Sequence, residues 1–330
     1  MFYRVISYRL SLLLLLSCFV LLTACGQNSS PAAGPQPVAT PTVALDAYGT
    51  PIVFPTTPPQ RIISLLPNTS EILGALQLQG RVIAVDYYTT YPADLASLPK
   101  VSGSNGKYNI EQIVALKPDL VLSYGGETKG YDQQLENLGL HIVDLPLSNL
   151  SQTLQEILLV GRLTSTENTA RTVVNQLQQR IQQIKVAVAG TTAPKVLLEV
   201  DDSVPGKPYV FGGGSFGDEL LQDANGVNIF HDDSSNGGYP QVTDEAIISA
   251  NPQFVILTED PAFGGNPALV YKRSNWNGIA ALTLHQVYRI NVNIIQHPSQ
   301  RLVDGLLCLA QIIHPDKFPG TLPAYCSGTV

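Results

Sequence analysis

Short apolar runs alternate with amphipathic stretches along most of the chain, and the two periods define its elements. The runs at 61–65, 81–85, 120–122 and 141–145 are brief and rich in Ile, Val and Leu, which predicts strands buried on both faces. Between them, 69–78, 109–117 and 131–138 read as helices, the last stopped by Gly139. Ahead of them 44–54, with Asp46 and Gly49 at its bend, predicts a small antiparallel hairpin. Two helices follow, the first at 150–163. The second opens on a capping-box pattern from Thr164 to Glu167 and keeps one apolar stripe through Ala170, Val173, Val174, Leu177, Ile181, Ile184 and Val188. Gly190 and Pro194 end it, and at about 24 residues it is roughly 36 Å long, enough to cross from one lobe to another. Alternation then resumes, with strands at 195–200, 254–257 and 288–290 and helices at 217–223, 245–250 and 300–313. The expected fold is α/β: two lobes, each with a mainly parallel sheet flanked by helices, bridged by one long α-helix.

An internal repeat supports two lobes. The segment Glu111-Gln-Ile-Val-Ala-Leu-Lys-Pro118-Asp-Leu-Val-Leu122 aligns with Glu245-Ala-Ile-Ile-Ser-Ala-Asn-Pro252-Gln-Phe-Val-Ile256. Each copy reads as acid, short helix, proline break and buried strand, and Tyr91-Pro92 and Tyr239-Pro240 precede the two copies. Two similar halves around a long helix imply a cleft between them, where ligands prefer to sit.

The ends place the protein in the cell. Arg4 and Arg9 precede an apolar run from Leu10 to Leu22, too short for a comfortable membrane span and suited to a signal peptide. The run ends in Leu22-Thr23-Ala24-Cys25, which resembles a bacterial lipobox and implies cleavage before Cys25 and acylation of that cysteine. Residues 26–43 carry no charge and read as a flexible tether. The expected divisions are a signal peptide at 1–24, the lipidated cysteine, tether and start of the hairpin at 25–57, lobes at 58–149 and 191–320, a helical linker at 150–190, and a tail at 321–330. Loss of Arg4 and Arg9 takes the formal charge from −7 to −9, which argues against nucleic acid as a partner. Cys308 and Cys326 are then the cysteines left in the folded body. An oxidising compartment favours a disulfide between them that pins the tail, with two buried free thiols as the alternative.

Four segments carry a family resemblance: Arg61-Ile-Ile-Ser-Leu-Leu-Pro-Asn-Thr-Ser-Glu71, Val85-Asp-Tyr-Tyr-Thr-Thr-Tyr-Pro92, the stretch from Asn109 to Val121, and Gly226-Val-Asn-Ile-Phe230. Over residues 44–318 the chain resembles the solute-binding lipoproteins of ABC importers for cobalamin, ferric siderophores and haem, and is most similar to the cobalamin binders. The resemblance implies a non-catalytic monomer anchored on the outer face of the cell membrane, with a permease and its ATPase as partners and a cobalt- or iron-containing chelate as cargo rather than cofactor. It implies that Glu111 and Glu245 dock on the permease; each is also placed to stabilise the first turn of a helix capped by Asn109 or Thr243. It implies that Tyr88, Tyr91 and Tyr239 pack on the ligand, as aromatic faces suit a large flat macrocycle. The family's tryptophan before Glu111 is replaced here by Ser104-Asn105-Gly106-Lys107. Asn68, Asn105 and Ser215 are candidate partners for ligand amides, with Phe216 beside them.

Other signals compete. His297 precedes the final helix and is a candidate ligand for iron or cobalt, and Arg301 a candidate for an anionic group. No resident metal site is expected: the superfamily's zinc and manganese binders draw several histidines from both lobes, and this chain has none before His141. Gly213-Gly214-Ser215-Phe216-Gly217 fits G-x-S-x-G, so a cell-surface serine hydrolase using Ser215, with an acid and base such as Asp260 and His285, is the distant alternative. A glycine loop that lets backbone approach a ligand explains the same residues. A scavenger or sensor without a permease is a third reading.

Overall fold

A computed structural model describes residues 44–146, 149–259 and 265–327. The first lobe runs β1 (Ile62–Ser64), α1 (Pro67–Ala75), β2 (Val82–Val85), α2 (Ala93–Ala96), α3 (Ile110–Ala115), β3 (Leu120–Tyr124), α4 (Lys129–Asn137) and β4 (Ile142–Leu145). Its four strands are all parallel, in the order β2-β1-β3-β4. Helices α5 (Leu150–Leu163) and α6 (Glu167–Val188) lead to the second lobe. That lobe runs β5 (Lys195–Asp201), β6 (Tyr209–Val210), α7 (Phe216–Asp223), β7 (Val227–Asn228), α8 (Ser235–Gly238), α9 (Asp244–Ala250), β8 (Phe254–Leu257), α10 (Pro267–Val270), α11 (Ala280–Thr283), β9 (Val287–Arg289), α12 (Leu302–Ile313) and α13 (Ala324–Ser327). Along one edge of β5, β7 pairs in parallel with its start and β6 antiparallel with its end. Without β6 the sheet reads β7-β5-β8-β9, the same order of connection as in the first lobe. The sequence repeat is therefore a repeat of topology, with α3 and α9 in corresponding places.

The strands are buried on both faces, and their alternate residues enter different cores. Ile62, Leu120, Leu122, Val196, Leu198 and Ile256 join one continuous core that also takes in α1, α5, α6, α7 and α12 and so passes through both lobes. Their neighbours face outward. Ile63 and Val121 pack with Ile113 of α3 in the first lobe, and Leu197 and Val255 pack with Ile247 of α9 in the second. The single apolar stripe of α6, Ala170, Val174, Leu177, Ile184 and Val188, lays one face of the helix on this shared core and leaves the other in solvent. Its start adjoins the turn held by Arg81, whose Nη1 donates to Thr164 O at 2.9 Å. Its end lies on the second lobe, where Arg180 pairs with Asp304 at 2.6 Å, Lys185 pairs with Asp223, and Asn225 Nδ2 donates to Val188 O at 3.3 Å. With 22 residues it spans about 33 Å.

One predicted cap is corrected. Thr164 does not open α6; it is the C-cap of α5, its hydroxyl donating back to Val160 O at 2.7 Å. The N-cap of α6 is Thr166, without a side-chain cap bond. A true capping box sits instead at the start of α5, between Asn149 and Gln152.

The predicted hairpin forms, with Leu45 bridged to Pro51 and Asp46 Oδ1 accepting from the backbone of Tyr48 and Thr50. It is pinned to the first lobe by the Tyr48 hydroxyl, which lies 2.7 Å from Asp132 and 2.8 Å from Asp144. Three acids in the second lobe, Glu199, Asp202 and Glu259, have ligand atoms within 4.8 Å of one another. Arg273 is the cation among them, forked onto Glu199 at 2.6 Å and reaching Asp202 at 2.7 Å. Cys308 and Cys326 are joined in a disulfide with Cα atoms 5.7 Å apart, and Asn291 ties the same tail through bonds to Cys326 O and Tyr325 O. The expected signal segment, Cys25 and most of the tether lie outside the described residues, and among the described residues no helix is long and apolar enough to cross a membrane.

Burial pushes the Glu259 carboxyl up to about 7 and that of Asp144 up to about 6. Between the ordinary carboxylate range and these values the folded protein keeps protons that the unfolded chain has released, so each group lowers stability as pH rises through that window. Thermal melts should therefore show the melting temperature of the wild type falling relative to Glu259→Gln between about pH 5 and about pH 7.5. A difference that stays constant would show that Glu259 does not hold its proton.

Candidate binding cleft

The carboxyl ends of both sheets open on a shared cleft, as expected where the first strands turn into helices. From the first lobe, Leu66, Pro67 and Asn68 enter at the start of α1, Tyr88 and Thr90 after β2, and Tyr124 and Glu127 at the end of β3. From the second come Phe216 at the start of α7, Tyr239 after α8, and Asn293, Gln296, His297 and Pro298 between β9 and α12. The volume of this half-open cleft is about 660 Å³, within the ~300–1,000 Å³ usual for small-molecule sites. A shallower depression of about 870 Å³ beside Glu111 is walled by one lobe, whereas both lobes build the cleft.

Local chemistry positions each wall. Asp86, at the end of β2, accepts from the backbone N–H of Tyr88 at 2.7 Å and from the Thr89 hydroxyl, which fixes the turn carrying Tyr88 to the rim. Burial holds the Asp86 carboxyl above its ordinary range, against the pull of those donors. The Tyr88 hydroxyl donates to Ser104 O and ties the 104–107 loop to the same rim. Phe216, Phe211 and Tyr239 form an aromatic cluster on the second lobe, with centroids 5.3 to 6.2 Å apart. Desolvation raises the Tyr239 phenol, so it stays protonated. Desolvation also raises Glu127, with His297 drawing it back.

Below the cleft the Glu71 carboxylate joins the lobes. Glu71, on α1 and buried, accepts from Ser299 Oγ, from His297 Nδ1 at 3.2 Å and from Arg301 Nη1 at 3.2 Å, while its carbonyl accepts from Gln300 Nε2 at 3.0 Å. The Arg301 guanidinium also lies 4.3 Å from the Tyr91 ring centroid. A second tie is Glu219 of α7, which accepts from Leu150 N at 2.7 Å and Ser151 Oγ at 3.1 Å at the start of α5.

The cleft thus brings together Asn68, Tyr88, Phe216, Tyr239 and His297. Tyr91 and Arg301 lie off its wall, stacked on each other. Asn105 is on an exposed loop, its Oδ1 accepting from Lys107 N at 3.1 Å. Ser215 is not a cleft donor either. Its buried hydroxyl donates to Gly212 O at 2.7 Å and caps α7 by accepting from Asp218 N. That geometry leaves the G-x-S-x-G reading without a free nucleophile. The glycines serve packing: a Cβ on Gly213 would lie 1.9 Å from His231 O. Exposed His285 has its ring against Tyr271, and Asp260 is outside the described residues. Trp276 is buried under Arg273 in the outer core of the second lobe. Thr90, Tyr124, Glu127, Asn293 and Gln296 were not foreseen; the end of β3 was legible as a ligand-facing position, but loop lengths hide the rest.

Glu111 and Glu245 are both exposed, each in the first turn of its helix. Asn109 and Thr243 cap those helices by accepting from Gln112 N at 3.0 Å and Ala246 N at 3.3 Å. Hydrogen bonds from its own backbone N–H and from Thr243 hold the Glu245 carboxyl below its ordinary range.

A two-lobed cleft of this build matches a known family over residues 62–293, that of the periplasmic binding proteins. The chain belongs to that family. It is 29% identical to an uncharacterised ABC transporter substrate-binding lipoprotein of Bacillus subtilis, over 79% of this chain and 82% of that protein. It is 26% identical to the vitamin B12-binding protein of Vibrio cholerae, over 76% of this chain and 87% of that one. Among solved structures, a periplasmic haem-binding protein from Pseudomonas aeruginosa superposes with a TM-score of 0.68 at 24% identity, covering 80% of this chain and 96% of that one, a likeness of fold. As a member of that family it is a substrate-binding protein.

Replacing Glu71 by Ala should cost about 3 kcal/mol in urea unfolding, since it leaves the largely covered guanidinium of Arg301, the hydroxyl of the buried Ser299 and His297 Nδ1 without their shared carboxylate. A loss below about 1 kcal/mol would place the pair in the weak class of exposed ion pairs and deny that it joins the lobes.

Proposed function

We propose that this protein is an exported lipoprotein, anchored through Cys25, that captures a cobalamin in its interlobe cleft and delivers it to an ABC permease. The observation that carries the reading is the cleft itself: about 660 Å³, faced by Tyr88 and Tyr124 on one side and Phe216 and Tyr239 on the other. Rings on both sides suit a flat macrocycle because they bury much area at little entropic cost. Asn68, Asn293 and Gln296 supply amides to match a ligand rimmed with amides. The 26% identity to a vitamin B12-binding protein supports the same ligand. A haem is the second reading, favoured by His297 on the cavity wall.

Glu111 and Glu245 have the attributes of docking residues. They are exposed, stand at corresponding places in the repeat, and lie on helices packed against the outer cores of separate lobes, so their spacing is set by the fold. The two acids would meet paired cations on a two-fold permease. The role is one of binding and delivery rather than catalysis, with the protein acting as a monomer.

Native mass spectrometry and absorbance after mixing with cyanocobalamin, haemin and ferric siderophores should show retention of cyanocobalamin tighter than about 1 µM. Retention of none of the three would overturn the cleft reading. For docking, Glu111→Arg with Glu245→Arg should cut uptake at least about tenfold while leaving affinity for the ligand unchanged; undiminished uptake would remove both acids from the permease interface.

A further inference from the structure

Glu127 is an acid in the cleft that the fold does not use. It stands where β3 turns into α4, after Gly125 and Gly126 with positive φ of 69° and 74°, a conformation that glycine takes without strain. Gly125 N donates to Leu145 O at 2.6 Å and Gly126 N to Asp144 Oδ1 at 3.0 Å, so the backbone leading into Glu127 is fixed to β4. The residue is exposed and lines the cleft, and among the described residues no hydrogen bond or ion pair holds its carboxylate. The rest of the wall offers no fixed cation: among the described residues that line it there is no Lys or Arg. Arg301 lies off the wall, bound to Glu71 and stacked on Tyr91. Lys100 Nζ donates to Thr89 O at 2.9 Å and feels the charge of Asp86. His297, the described lining group that can gain a positive charge, already has the Glu71 carboxylate 3.2 Å from its Nδ1. Across the cleft Gln296 Nε2 donates to Thr258 O at 2.9 Å and Oγ1 at 3.2 Å, and a backbone carbonyl can only accept, so the amide oxygen is the atom left for a ligand.

Accepting the reading that the cleft holds a metal chelate, we infer that Glu127 selects the cargo by the charge of its rim: the cleft takes chelates edged with N–H donors, as primary amides or ammonium groups, and discriminates against chelates edged with carboxylates or other anions. An N–H facing Glu127 makes a charge-assisted hydrogen bond. A carboxylate in the same place has no proton to give and meets a like charge, a repulsion that a wall without Lys or Arg does nothing to offset. Desolvation already raises the Glu127 carboxyl; a ligand anion beside it would raise it further, whereas a ligand N–H would hold it ionised. An amide and a carboxylate have nearly the same shape, so one macrocycle is accepted or refused on its rim chemistry alone. An amide-edged macrocycle therefore outranks one that carries two free propionates.

The test uses matched ligands that differ at the rim: cyanocobalamin against its monocarboxylates, in each of which one peripheral amide is hydrolysed, and the bis-amide of haemin against haemin. Dissociation constants are measured at low salt and about pH 7.5 for the wild type, Glu127→Gln and Glu127→Lys, with circular dichroism to check that the variants fold alike. The wild type should prefer the amide member of at least one pair by about tenfold or more. Glu127→Gln should bring that ratio towards one, Glu127→Lys should invert it, and added salt should narrow the preference of the wild type. Equal binding of both members of every pair by the wild type, or a preference that survives unchanged in both variants, would overturn the role of Glu127 while leaving the cleft reading intact. If no member of any pair binds, the cleft reading and the charge selection fall together.

Discussion

The geometry of this protein depends on a carboxylate that belongs to one lobe and is satisfied by the other. Glu71 takes its hydrogen bonds from the segment between Gln296 and Leu302, so the base of the cleft is closed by charge-assisted bonds rather than by a flexible linker. The core agrees with it. Ile62 and Leu120 of the first sheet and Val196 and Ile256 of the second belong to one continuous apolar cluster that includes α6 and α12. Opening or closing the lobes by a wide angle would tear that cluster and expose the buried Glu71. Small adjustments at the rim, where Tyr88 and the 104–107 loop are exposed, disturb neither.

The same constraint connects the cleft to the outer surface. Each sheet is one layer thick between the shared core and an outer core, and the outer cores carry α3 and α9. Glu111 and Glu245 therefore stand on surfaces whose separation is set by the packing that holds the cleft. A rigid spacing of two acids is what a two-fold partner could read. Loading of the cleft would then be reported by small changes at the rim and not by a large change in the distance between the acids.

Much of this was legible in the sequence, for identifiable reasons. Strands such as Phe254–Leu257 announce themselves because parallel strands buried on both faces are apolar throughout. The repeat of Glu111 and Pro118 in Glu245 and Pro252 located α3 and α9, and Asn109 and Thr243 cap them as their side chains predict. The two-residue strands β6 and β7 carry no period and were not legible. Thr164 was misread because a threonine three residues before a glutamate can equally end the preceding helix, and back-bonding to Val160 won. Within the site, resemblance pointed to Tyr88, Tyr91 and Tyr239, of which Tyr91 lies off the wall, and position in the chain pointed to Phe216 and His297, whereas Tyr124 and Glu127 follow from the general rule that ligands sit at the carboxyl ends of parallel strands. Ser215 was misassigned because capping a helix and lining a cleft call for the same small polar residue, and only coordinates separate them.

From these ties follows the near rigidity of the two-lobed clasp. It is tested most directly by pulsed electron–electron spin distances between labels at Ala115→Cys and Ser249→Cys, on α3 and at the end of α9, with and without saturating ligand. The mean distance should move by no more than about 2 Å on loading. A hinge closure of many ångströms, or a broad apo distribution that collapses on binding, would contradict it.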